Sequence, residues 1–179
     1  MKDAEVAEVR LVGLLHRLDF PRRWYDLCAA SRVGGRPPSH DLPTAEQDAA
    51  LATIGRSFKY NRREKFYATR EAGVPGELGA NLVLRHGVAE FILVARVPAG
   101  HIGDPFGVLM RNADRRFGLM LPEAPVYPEP WYQGAAELRR VLAEGFGLYA
   151  EMAAAVIASG LLTGNATDAK PDAAADGGA

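Results

Sequence analysis

Apolar residues recur at helical spacing from the start of the chain. Val6, Val9, Leu11, Leu14, Leu15 and Leu18 form one wide stripe over residues 3–18. Asp19 followed by Pro21 reads as a second helix start, with Asp19 as the N-cap and Pro21 in the first turn. Trp24, Leu27 and Cys28 would line the inner side of that helix as far as Ser31. Residues 33–40 (Val-Gly-Gly-Arg-Pro-Pro-Ser-His) have loop composition. Thr44, with Gln47 three residues later, resembles a capping box for a helix through Ile54.

The period then shortens. Residues 64–70, 81–86 and 88–97 are rich in β-branched and aromatic side chains and predict strands, and 58–60 either extends the first or stands alone. His86-Gly87 separates the two central strands as a hairpin. Both are too apolar for a sheet with one covered face. They predict either cover on much of both faces, or a second face used for contact.

Asp104-Pro105 opens another helical pattern, with Phe106, Leu109, Met110 and Ala113 at helical spacing; Gly107 keeps a fourth strand at 106–111 as the alternative. Pro122, Pro125, Pro128 and Pro130 make 121–131 an extended surface crossing. Residues 135–159 give the longest helical stripe, in which Gly145 and Gly147 mark a bend or a close contact, and Gly160 suits a C-terminal cap. The expected fold is a single α+β domain over 1–160. Its antiparallel sheet of three to four strands is packed by N-terminal helices and a long C-terminal helix. A disordered acidic, Ala/Gly-rich tail is expected over 161–179.

Composition adds little to this, and charge distribution adds more. At 179 residues the chain can bury about 68–70% of its unfolded surface without disulfides or metals. The single Cys28 suits a reducing compartment. Acids stand where a signal peptide needs an apolar core, and no apolar run approaches the roughly 20 residues of a membrane span. A cytoplasmic protein with no membrane association is expected. The 17 Arg against 4 Lys fit a GC-rich, bacterial-like coding sequence. The net charge is −1, yet residues 51–121 carry 11 basic and 6 acidic groups. That modest excess lies on the sheet and makes nucleic acid an unlikely partner.

Several chemistries lack their signatures. The four histidines, at 16, 40, 86 and 101, show no metal-ligand spacing, so no metal or cofactor is expected. There is no Gly-x-Ser-x-Gly elbow, and Cys28 falls on an apolar helix face. The glycine-rich stretches at 33–39 and 73–79 lack the context of phosphate loops.

What remains is the basic-aromatic run from Arg56 to Tyr67. Strict alternation puts Arg63, Lys65 and Tyr67 on one sheet face, and cross-strand pairing adds Val83 and Arg85, then Glu90, Ile92, Val94 and Arg96. An apolar patch rimmed by arginine is the composition of a protein-binding surface. The expected function is therefore non-enzymatic: a protein-binding module, inhibitor- or immunity-like or self-associating, that uses Arg63, Lys65, Tyr67, Arg85, Ile92 and Arg96. The first alternative is a small-ligand binder or hydrolase with His86, His101 and Asp104 as acid/base groups near loop 33–43. The second is a nucleic-acid binder reading through the same aromatics and arginines.

Overall fold

The computed structural model describes residues 3–32 and 41–164. The expected loop at 33–40 and most of the expected tail lie outside these. The chain is α+β, as its patterning predicts. Three helices come first, α1 (Asp3–Arg17), α2 (Phe20–Ser31) and α3 (Thr44–Ala52). Five strands come next, β1 (Lys59–Asn61), β2 (Phe66–Arg70), β3 (Glu77–Arg85), β4 (Val88–Val97) and β5 (Gly100–Ile102). α4 (Phe106–Phe117) and α5 (Ala135–Ala158) complete it. The sheet is an antiparallel meander in chain order, β1-β2-β3-β4-β5. It has five strands rather than three or four because two consist of only three residues, too short to show alternation.

β3 and β4 alternate between buried and half-buried positions. Leu78, Ala80, Leu82 and Leu84 of β3, with Ala89, Phe91, Leu93, Ala95 and Val97 of β4, form the buried side. The helices pack on that side. Phe91 makes ring contacts with Trp24, Phe106 and Phe146, at centroid distances of 5.6, 5.6 and 5.2 Å. α5 crosses this face with Gly145 against the Phe91 ring. Of the two readings for Gly145, the close contact holds. By length and apolar content α5 could also cross a membrane, a test that core helices pass too. Sequence reading overlooked it because charged residues from Glu137 to Glu151 interrupt the run. The stripe from Leu138 to Val156 is buried in the core.

Local signals held unevenly. His86 and Gly87 both have positive φ, 52° and 69°, as a two-residue type I′ turn requires. Asp19 is left-handed and makes no side-chain cap; Pro43 and Pro105, not Thr44 and Asp104, occupy the N-cap positions of α3 and α4. β3 begins at Glu77, four residues before the expected 81, and α3 stops at Ala52 rather than Ile54. Residues 106–117 are helix, not strand. The core continues past residue 160: Leu161 and Leu162 are 2% and 5% exposed and belong to it.

The segment after α4 is pinned from within. Arg111, 4% exposed, donates to the carbonyls of Val126, Pro122 and Pro125 and pairs with Asp114 at 3.0 Å. The chain then passes between α2 and the free edge of β4. Trp24 Nε1 donates to the Pro128 carbonyl at 3.0 Å, and the Trp131 N–H donates to Ser31 Oγ at 2.9 Å. On the sheet side Ala89 N–H donates to Pro130 and Tyr132 N–H to Gly87. The prolines thus hold an extended segment against the edge that β5 leaves uncovered.

Candidate protein-binding surface

The second face of the sheet carries the other parity. Asn81 pairs with Ile92, Val83 with Glu90, Gly79 with Val94, Glu77 with Arg96 and Arg85 with Val88. Ala68 of β2 lies beside Asn81, and Lys59 of β1 beside Ala68. His101 of β5 lies beside Arg96. Val83, Ile92 and Val94 are half-buried, whereas their alternate neighbours are buried. Among the described residues the helices cover only the other face. The second face thus keeps an apolar centre, Val83–Ile92–Val94, with charged groups at both ends.

At one end Arg85 is exposed and has no hydrogen-bond or ion-pair partner among the described residues. Beside it, Trp131 forms an isolated bridge to Val88, and the Arg32 guanidinium lies 4.9 Å from its ring centroid. Glu129 is next along. Burial pushes its carboxyl up to about 6, the Glu90 carboxylate adds to the shift, and Arg32 opposes it. At the other end the Arg70 side chain lies across Gly79, donating to Glu77 at 2.9 Å and Asn81 Oδ1 at 3.0 Å. A Cβ on residue 79 would run into the Thr69 carbonyl oxygen and come within 2.5 Å of Arg70 Cδ; the backbone contact requires glycine there, and the arginine lies over the space it leaves. Arg96 contacts His101 Nε2 at 2.9 Å.

Of the six residues that the sequence puts on one face, three share it: Arg85, Ile92 and Arg96. Tyr67 does not. It pairs with Leu82 on the helix-covered side, is 4% exposed, and donates to Asp48 at 2.9 Å. Arg63 and Lys65 lie in the exposed turn between β1 and β2. Asn61 Oδ1 accepts the Arg63 and Glu64 N–H groups there, and Lys65 is left-handed with φ 57°. That turn takes Arg63 and Lys65 out of the alternation. Separately, β2 pairs with β3 one residue out of the expected phase, Ala68 against Asn81, so Phe66, Ala68 and Arg70 point where Tyr67 was expected. Sequence reading missed Arg70, Glu129 and Trp131. Arg70 follows from the phase error. The Pro-Glu-Pro-Trp run of 128–131 is a sign of extended chain, but nothing local tells which strand edge it joins.

The alternative acid/base set does not assemble. His86 sits in the β3–β4 turn, where its backbone N–H donates to Asp41. His101 sits beside Arg96. From Val88 to Arg96 β4 advances roughly 26 Å at about 3.3 Å per residue, so the two imidazoles occupy opposite ends of the sheet. Asp104 lines a separate cleft of about 360 Å³ between α1 and α4, with Glu8, Asn112, Arg115 and Arg116, and neither histidine borders it. Among the described residues no group of three or more His, Cys, Asp or Glu side chains is placed to hold a metal ion. Burial raises the Cys28 thiol far above its ordinary range, which leaves it protonated and unreactive.

Compared with family models, curated proteins and solved structures, the chain matches none.

Proposed function

We propose that this chain is a protein-binding module and that the uncovered sheet face is its binding surface. The single observation that carries this reading is the apolar strip Val83–Ile92–Val94, left uncovered by the helices of the described residues. Around it stand Arg85, Arg96 and Trp131, residue types that dominate binding energy when a partner desolvates them. A rigid sheet presents them with little ordering cost on association. The action would be occlusion: the face covers part of a partner and keeps other molecules from it.

The test is affinity capture with the wild-type chain and with Ile92→Glu and Arg85→Glu. One stoichiometric protein, retained by wild type and lost from both variants, supports the reading. Equal capture by all three rejects this face. Circular dichroism on the variants separates lost binding from lost folding.

A further inference from the structure

The uncovered face is complementary to itself, and we propose that its partner is a second copy of this chain, packed face to face. This rests on the reading of that face as a protein-binding surface.

The complementarity lies in the register. Asn81 and Ile92 form the middle row of the two long strands, and the rows on either side are equally spaced from it. Consider a two-fold axis lying between two such sheets, perpendicular to the strands and passing over that row. Each strand then lies antiparallel over its own copy. Residues four places to one side of the middle meet residues four places to the other. On β3 this sets Arg85 against the partner's Glu77, and it does so twice. Glu77 holds Arg70 through Oε1, and a carboxylate has acceptor capacity for a second guanidinium. At the centre Ile92 meets the partner's Ile92. Val83 lies over the stem of the partner's Arg70, where that side chain crosses Gly79. At the sheet edge Trp131, beside Val88, comes over the partner's His101, beside Arg96.

Three terms oppose this packing. Glu90 falls over the partner's Val94, Arg96 over the partner's Val88, and Lys59 over the partner's Lys59. Arg96 and Lys59 lie at the rim, where water reaches them; Glu90 is the cost that the central contacts must offset. Packed sheets are rotated by about 30°, which displaces the ends of β3 sideways; arginine has the length to follow. The face is about four strand spacings wide and nine residues long, roughly 500–600 Å² per copy. About 1,100 Å² in total is at the lower end for a specific interface, so a reversible dimer is expected rather than a permanent one.

Sedimentation velocity over a concentration series of the full chain tests this. Wild type should pass from monomer to dimer in the micromolar range. Ile92→Glu, Arg85→Glu and Glu77→Arg should each shift the transition to at least about tenfold higher concentration. The double variant Arg85→Glu/Glu77→Arg restores opposite charges across the axis and should recover most of the association. A chain monomeric at every concentration overturns the dimer. So does a dimer untouched by these substitutions, or a double variant no better than the singles. If the chain is monomeric while a different protein is captured in an Ile92-dependent way, the dimer fails and the binding face stands. If neither occurs, both fail.

Discussion

The Phe91 ring lies directly under Gly145: a Cβ at position 145 would come within 2.5 Å of it. Two effects of Gly145→Ala therefore compete. Helix propensity favours alanine by about 1 kcal/mol. Overpacking against a ring already in contact with Trp24, Phe106 and Phe146 costs about 1–3 kcal/mol. The ring is held on three sides, so the cost prevails and a net loss of up to about 2 kcal/mol is expected in urea denaturation. Gly147, where an added Cβ would meet nothing within 4 Å, is the control. Gly147→Ala should stabilise by about 0.5–1 kcal/mol.

The two sheet faces should respond differently to the same change. Tyr67→Ser removes a core ring and the bond to Asp48, and should cost about 3–4 kcal/mol. Ile92→Ser, on the uncovered face, should cost about 1 kcal/mol or less. Equal losses in the denaturation midpoint would mean that Ile92 is as buried as Tyr67.

Glu129 gives a pH dependence with a definite sign. Its folded-state carboxyl, at about 6, lies above the ordinary 4.5. The folded state therefore binds the proton more tightly than the unfolded state. The stability this group contributes is fully present below pH 4.5 and is lost as pH rises through about 6. Allowing for solvent screening of a partly exposed group, the loss is about 1 kcal/mol. Glu129→Gln should therefore be more stable than wild type by about that amount at pH 7 and equal to it at pH 4.5. Denaturant titrations of both proteins across this range check the crossing.

Arg111 fixes the α4–α5 connection from inside. Arg111→Ala leaves three carbonyls without this donor and Asp114 with only the Leu121 N–H, and should cost about 3–5 kcal/mol. Arg111→Lys keeps the charge but lacks the planar fork, and should recover only part of this. Limited proteolysis should show cleavage within 118–128 in both variants before global unfolding, and not in wild type.

Legibility in the sequence followed the range of the interactions. β3 and β4 are joined by a turn that His86-Gly87 specifies within two residues, so which residues share a face could be read, but not which face the helices cover. β2 could not be read this way: its phase against β3 is set across the 71–76 connection, and that register puts Tyr67 opposite Leu82 on the other face, while the left-handed Lys65 takes Arg63 and Lys65 out of the alternation. The edge position of Trp131 depends on bonds to Gly87, Ala89 and Ser31, all distant in sequence. Leu161 and Leu162 look like the start of a tail until the core that receives them is known. Arg85, Ile92 and Arg96 were found because β-alternation is local. Their neighbours Arg70, Glu129 and Trp131 were not, because a surface is assembled from several strands and a returning segment.

The meander order of the sheet bears on how the chain reaches this structure. Each strand pairs with the one just made, so the sheet can zip up hairpin by hairpin while synthesis continues, without waiting for a distant segment. Its inner face has no such independence. Phe91 and its neighbours are closed over by α5, which leaves the ribosome after every strand is complete. For that interval the apolar inner side of the nascent sheet is exposed together with the Val83–Ile92–Val94 strip of the other, which makes the half-finished chain prone to aggregate.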